Sequence, residues 1–98
     1  MKTEMTILID KLNKAHIPFE LTKDACGNEN NQVWYPTRGI HICDVICHKY
    51  SYGGDEGLLE IMGLLTEEEL QYDDTVAGYL TAEDVFSRIE KDYKERKA

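Results

Sequence analysis

The chain has 98 residues, a length that suits one domain over residues 1–98, and 42% of them are hydrophobic, as in an ordinary globular protein. Its formal net charge of −8 disfavours direct binding to nucleic acid or to anionic lipid and favours a basic partner. No apolar run approaches the roughly 20 residues that span a bilayer, and no apolar signal follows Met1, so we expect no membrane contact.

The first part of the sequence predicts one helix followed by short strands. Apolar residues recur at helical spacing from Met5 to Ala15, and Pro18 disfavours helical geometry at the residue before it. The predicted elements are a helix at about 4–16, a strand at 19–22, a polar loop at 27–31 and a strand at 33–35. We expect Trp34 to fill the core of the domain.

The rest of the sequence predicts a hairpin and two capped helices. Residues 40–50 are rich in β-branched and aromatic side chains and predict a strand, which a glycine-rich turn joins to a returning strand at 58–65. A helix over 58–65 is the main alternative. The segments T-E-E-E at 66–69 and T-A-E-D at 81–84 have capping-box spacing, so each predicts the start of a helix. The fold class is therefore α+β, an antiparallel sheet of three or four strands with an N-terminal and a C-terminal helix packed on one face.

Residues 73–84 have the length of a calcium-binding loop, with Gly78 at the sixth position. Ala77 stands at the fifth position, where such a loop needs an oxygen ligand. We therefore interpret the segment as a solvated loop that leads into the C-terminal helix.

The acidic residues are concentrated in the second half of the chain. Ten carboxylates and no Lys, Arg or His lie between Tyr50 and Ser87, whereas residues 1–49 carry six acids and six bases. A field of this kind attracts cationic surfaces, so we predict a non-catalytic acidic interaction or accessory protein that docks on a basic partner, such as a nucleic-acid-binding protein or enzyme. A solvated acidic face that only maintains solubility is the alternative. The predicted binding patch of acidic and aromatic side chains comprises Tyr50, Tyr52, Asp55, Glu56, Glu67, Glu68, Glu69, Asp73 and Asp74.

Histidine and cysteine side chains raise a second hypothesis, a small metal-dependent or thiol enzyme. On a strand, His41 and Cys43 would share one face about 7 Å apart, close enough to hold one metal ion. No Cys-x-x-Cys pair occurs, and no glycine-rich turn precedes Cys43 or Cys47 to make a nucleophile of either. We therefore expect no cofactor and no catalytic residue, and we interpret the three cysteines as reduced thiols of a cytoplasmic protein.

Self-association is a third hypothesis. The edge strand of a sheet with three or four strands can pair with its copy, which would give a homodimer. The apolar hairpin at 40–65 is also longer than a small core can cover, which favours contact with another surface.

Four stretches of the second half carry a resemblance to known proteins. They are CDVICH at 43–48, SYGG at 51–54, GLLEIMGLL at 57–65 and GYLTAEDVF at 78–86. Together they resemble small uncharacterised proteins of prophages and other mobile elements of Gram-positive bacteria, over about half of the chain. The resemblance implies a short cytoplasmic accessory protein, and it provides no catalytic or binding residue.

Overall fold

The computed structural model describes residues 2–71 and 75–97. Its helices and strands are α1 (Glu4–Lys14), β1 (Glu20–Thr22), β2 (Gln32–Pro36), β3 (His41–Ile46), β4 (Leu59–Met62), α2 (Glu67–Gln71), β5 (Val76–Leu80) and α3 (Ala82–Lys97). One 3₁₀ turn, Gly54–Glu56, lies in the loop between β3 and β4. The predicted α+β class is confirmed, and the antiparallel sheet has five strands rather than three or four.

The five strands form a meander in which each strand pairs with the next one along the chain. The pairing aligns Val33, Val45, Ile61 and Ala77 in one row across β2 to β5, and all four side chains are buried. Because side chains alternate along a strand, the neighbouring residues face the opposite side. We refer to the side that carries this row as the core face and to the opposite side as the second face.

Helices α1 and α3 cover the core face and contact each other. Helix α1 buries Met5, Leu8 and Leu12, and α3 buries Val85 and Ile89, which join the same apolar cluster as the strands. The helical spacing of the apolar residues therefore predicted these contacts correctly. Within residues 2–71 and 75–97, no helix combines the length and the apolar character needed to cross a bilayer.

The start of α3 is fixed by side chains from two elements. Thr81 and Asp84 form the predicted capping box, with the Thr81 backbone N–H donating to Asp84 Oδ2 at 3.0 Å and the Asp84 N–H donating to Thr81 Oγ1 at 3.2 Å. The carboxylate of Glu4 in α1 accepts from the Ala82 N–H at 2.7 Å. The backbone donors at the start of α3 are thus satisfied partly by α1, which joins the two helices at this point.

Of three expectations about residues 40–84, two differ from the structure. Strand β3 ends at Ile46, so residues 47–50 belong to the loop rather than to a long hairpin. The returning strand predicted at 58–65 is confirmed at 59–62, so the alternative helix is wrong. The segment 73–84 was expected to be a solvated loop, but Val76–Leu80 is strand β5, because its apolar residues pair with β4.

Tyr35, and not Trp34 as expected, fills the core at this point of β2. Tyr35 is only 1% exposed in the core, and its hydroxyl donates to Asp92 Oδ2 at 2.9 Å. Trp34 is half-buried on the second face, where its Nε1 donates to Thr22 Oγ1 at 2.8 Å. Neighbouring residues of β2 face opposite sides of the sheet, so only one of the two rings lies in the core. The polar group of each ring has a hydrogen-bond partner in its own position.

Candidate functional site

The loop between β3 and β4 lies against strand β5. The Tyr79 backbone N–H donates to the carbonyl oxygen of Tyr52 at 3.1 Å, and the Tyr52 N–H donates to Glu60 Oε1 at 2.9 Å. A Cβ atom at Gly78 would overlap the Cβ of Tyr52, so only glycine lets the loop approach the strand this closely. The contact therefore holds Tyr52 next to Tyr79.

Strand β5 contains a bulge at this contact. Ile61 pairs with Ala77 and Leu59 pairs with Leu80, so Gly78 and Tyr79 together face one residue of β4. Tyr79 has a φ of 58°, in the left-handed region, and its side chain is 62% exposed. The bulge turns the Tyr79 ring outward instead of into the core.

An open depression of about 340 Å³ lies where the loop, α2 and β5 meet. Its lining consists of Tyr52, Glu69, Val76, Ala77, Gly78 and Tyr79, and we call it the β5 groove. The loop supplies Tyr52, which is 61% exposed, and α2 supplies Glu69. The groove therefore has two aromatic side chains beside an apolar base from β5.

Glu69 forms a paired ion bridge with Arg88 of α3. The two guanidinium nitrogens of Arg88 donate to the two carboxylate oxygens of Glu69 at 2.8 and 2.9 Å, and Arg88 also donates to the Leu64 carbonyl. The arginine, together with hydrogen bonds from Thr66, lowers the pKa of Glu69 to about 2 despite its partial burial. This pair fixes α2 against α3 and leaves the groove side of α2 without net charge at Glu69.

Four other carboxylates of the predicted patch belong to the loop and to the helix that supply Tyr52 and Glu69 to the groove. Asp55 and Glu56 follow Tyr52 in the 3₁₀ turn, and Glu67 and Glu68 precede Glu69 in α2. All four are exposed, and none of them forms an ion pair with a residue of the described ranges 2–71 and 75–97. We call these four side chains the rim carboxylates. The predicted patch residues Asp73 and Asp74 lie outside the described residues.

The cations of the first half do not cover these carboxylates. Lys2 and Lys23 pair with acids of their own half, whereas Lys11 pairs with Glu83 at 2.8 Å. Arg38 lies 5.8 Å from the centre of an indole ring on the second face. Within the part of the chain that the structure describes, no basic side chain forms an ion pair with a rim carboxylate, so the rim keeps its negative charge.

Tyr50 lies apart from the groove, although it was assigned to the same patch. Its ring is 77% exposed and lies 5.0 Å from the ammonium of Lys49. Sequence reasoning included Tyr50 and missed Tyr79. The apolar run V-A-G-Y-L at 76–80 is the signal that indicates a strand at Tyr79. A glycine inside a strand often marks a bulge, which would turn the neighbouring aromatic ring outward.

His41 and Cys43 lie on opposite faces of the sheet. Pro36 pairs with His41 and Tyr35 pairs with Cys43, so Ile42 is an extra residue, and this bulge reverses the expected alternation. Cys43 is fully buried in the core, and burial raises the pKa of its thiol to about 12. The His41 ring lies instead against the ring of Trp34, with 4.9 Å between the centres. The prediction that His41 and Cys43 share a face is therefore wrong.

The described residues contain no cluster of three or more His, Cys, Asp or Glu side chains arranged to hold a metal ion.

Scans against protein-family models find no match for this chain, and comparisons with curated proteins and with solved structures find no significant match either. The geometry of the groove and its rim is therefore the basis of the functional argument.

Replacing Arg88 by methionine is expected to lower the free energy of unfolding at pH 7 by about 1–2 kcal/mol, because it leaves Glu69 partly buried without its partner. The folded-state pKa of Glu69 is lowered, so the stabilisation is complete above pH 4.5 and is lost as the pH falls towards 2. Chemical denaturation at pH 7 and pH 2 measures the difference. The matched variant Lys91→Met, exposed on the same helix, should change little at either pH. An equal loss at both values would contradict the assignment.

Proposed function

We propose that this protein is a non-catalytic interaction module that binds a basic protein surface through the rim carboxylates and the β5 groove. The observation that carries the proposal is that the loop and the helix that line the groove also carry four exposed carboxylates, Asp55, Glu56, Glu67 and Glu68. None of these forms an ion pair within residues 2–71 and 75–97, and two exposed tyrosines line the groove itself. Negative charge steers a cationic partner during encounter, and exposed aromatic rings provide contact area once it is bound. A nucleic-acid-binding protein or enzyme has the basic surface that this arrangement fits.

The proposal also includes the cellular compartment and the accessory role of this protein. Cys26, Cys43 and Cys47 are free thiols, which supports a reducing compartment such as the cytoplasm. The resemblance to proteins of mobile elements supports an accessory role there. The edge-strand homodimer is an alternative that would use β1 at the other edge of the sheet, because the bulge in β5 opposes the addition of a further strand there.

The thiol or metal enzyme is not favoured by any contact around Cys43. A thiol with a pKa of about 12 is protonated at neutral pH, whereas nucleophilic and metal-binding cysteines react as thiolates. No solvent reaches its side chain. Binding rather than catalysis is therefore the function that these residues support best.

The test compares two variants of equal net charge. The rim variant carries Asp55→Asn, Glu56→Gln, Glu67→Gln and Glu68→Gln, and the control variant replaces four carboxylates elsewhere on the surface, namely Asp10→Asn, Glu29→Gln, Glu90→Gln and Glu95→Gln. A partner is captured from the host on the wild-type protein, purified, and titrated with each variant at low and high salt. We expect the rim variant to weaken binding about tenfold or more at low salt and the control variant to change it much less.

Two results would contradict the proposal. Equal weakening by both variants would mean that only overall charge matters and that the rim has no specific role. An affinity of the wild-type protein that stays constant from low to high salt would exclude electrostatic docking.

A further inference from the structure

We propose that the β5 groove binds an arginine side chain of the basic partner between Tyr52 and Tyr79, an inference that rests on the proposed function and names the group recognised. Both rings are more than half exposed, and both line the same depression. A cation within about 6 Å of an aromatic ring centre is attracted by the negative face of the ring. Two such rings at one groove form a site for a cationic side chain.

Cations of this chain already occupy most of its other aromatic rings. Lys11 lies over Phe86, Arg38 over Trp34, Lys49 over Tyr50 and Lys97 over Tyr93, at 5.0 to 5.8 Å from the ring centres. Among the tyrosines that the structure describes, Tyr52 and Tyr79 are the exposed ones without such a cation. The groove therefore presents aromatic surface that an external cation can use.

The charges around the groove favour a cation drawn from outside. The rim carboxylates lie in the loop that carries Tyr52 and in α2, while Glu69 inside the groove is neutralised by Arg88. The groove itself therefore lacks the free carboxylates that a metal ion or an ammonium group would require as close ligands. These surroundings better fit a cation that stacks on the two tyrosine rings and that the rim carboxylates attract from a distance.

Arginine fits this groove better than lysine. The planar guanidinium stacks on aromatic rings and is less strongly hydrated than an ammonium group, so it loses less on leaving water. The partly exposed Val76 gives the groove an apolar side chain against which the methylene stem of arginine can lie. A tyrosine hydroxyl oxygen can also accept a hydrogen bond from a guanidinium N–H group.

The experiment uses three capped peptides that differ only in one residue type. Each peptide has the form G-X-G-X-G-X-G, in which X is arginine, lysine or neutral citrulline, and each is titrated at low salt against the wild-type protein. We expect the arginine peptide to bind about threefold or more tighter than the lysine peptide and the citrulline peptide to show no measurable binding. In NMR spectra of the wild-type protein, the ring protons of Tyr52 and Tyr79 should shift while those of Tyr50 stay in place.

Variants provide a second measurement. We expect Tyr52→Leu and Tyr79→Asn each to weaken binding of the arginine peptide about three- to fivefold. Asparagine is chosen at position 79 because it tolerates a positive φ. The control variant Tyr50→Leu removes an even more exposed ring that does not line the groove and should change the affinity less than twofold. Thermal unfolding of each variant verifies that it is folded.

The outcomes separate this inference from the proposed function. If the arginine and lysine peptides bind equally and the ring protons of Tyr52 and Tyr79 do not shift, the groove is not an arginine site. In that case, weaker peptide binding by the rim variant than by its control would still support docking through the rim. If the rim variant binds the arginine peptide as tightly as the wild-type protein does, the proposed function fails as well.

Discussion

Replacing Gly63 by alanine is expected to lower the free energy of unfolding by about 3–5 kcal/mol, a large part of the stability of a domain of this size. Gly63 has a φ of 99°, a conformation that strains any residue with a Cβ atom. A Cβ at this position would also overlap the carbonyl oxygen of Ile42 and lie 3.0 Å from the Cα of Cys43. Both contacts are to the backbone of β3, which cannot move without disturbing the sheet.

Substitutions at two other glycines measure the free-energy cost of backbone strain separately from the cost of steric overlap by the new Cβ atom. Gly27 has a φ of 85°, but no atom lies within 4 Å of the position that its Cβ would take, so Gly27→Ala should cost about 1–2 kcal/mol from strain alone. Gly39 has neither a positive φ nor a close neighbour, so Gly39→Ala should raise stability by up to about 1 kcal/mol, because it restricts the unfolded chain.

Urea unfolding of the three variants measures the series. The expected order of stability is Gly39→Ala, then Gly27→Ala, then Gly63→Ala. A Gly63→Ala variant as stable as Gly27→Ala would mean that the end of β4 does not lie against β3 in this way. If Gly63→Ala fails to fold, Gly63→Ala combined with Gly39→Ala provides a slightly more stable background for the same measurement.

The helices could be predicted from the sequence because their signals are local. Periodic apolar residues and capping boxes act within a few residues, and the buried positions Leu8, Leu12, Val85 and Ile89 lie on the predicted faces. Periodicity requires no knowledge of what covers the helix. The same reasoning predicted that both helices lie on one face of an antiparallel sheet.

The two bulges could not be predicted in this way, and they determine the candidate sites. The extra residue Ile42 places His41 on the face opposite Cys43, and the extra residue beside Gly78 turns Tyr79 outward. A bulge depends on the register between two strands, which is a contact distant in sequence. Strict alternation along a single strand therefore assigned His41 and Cys43 to one site, and the interpretation of 73–84 as a loop missed Tyr79.

The charge distribution was only partly readable from the sequence. The excess of carboxylates in the second half is a property of composition, but which of them are neutralised depends on the tertiary structure. Arg88 lies 19 residues after Glu69 and pairs with it, and Lys11 reaches Glu83 from the opposite end of the chain. Pairing neutralises Glu69 within the predicted patch, whereas the rim carboxylates form no ion pair within the described residues and carry the proposed function.

Replacing Asp24 by asparagine is expected to lower the free energy of unfolding by about 2–4 kcal/mol at pH 7. Asp24 is 6% exposed, and its carboxylate accepts four hydrogen bonds within the loop between β1 and β2. The donors are the backbone N–H groups of Cys26 and Asn28 at 2.9 and 3.0 Å, and the side-chain amides of Asn28 and Asn31 at 2.9 and 2.7 Å. Asparagine would place an NH₂ group against two of these donors, which leaves them without an acceptor.

The loss should propagate to the end of β3. The amide of Asn31 that donates to Asp24 also donates to the carbonyl oxygen of Cys47 at 2.7 Å, so the loop is joined to the residue after β3 through one side chain. The variant Glu29→Gln lies in the same loop but is exposed, and we expect it to leave the free energy of unfolding almost unchanged.

Acid should reduce the difference between the wild-type protein and Asp24→Asn. Burial opposes ionisation of Asp24, but the hydrogen bonds from Asn31 and Asn28 outweigh it and hold the pKa of the carboxyl well below its usual value of 3.8. A lowered folded-state pKa stabilises the fold fully above pH 3.8, and this stabilisation is lost as the pH falls through the folded-state pKa. Denaturation curves at pH 7 and pH 2 should therefore show a smaller difference between the two proteins at pH 2. A difference that is the same at both values would mean that Asp24 is not ionised in the folded loop, and the hydrogen-bond arrangement that fixes this loop to β3 would have to be revised.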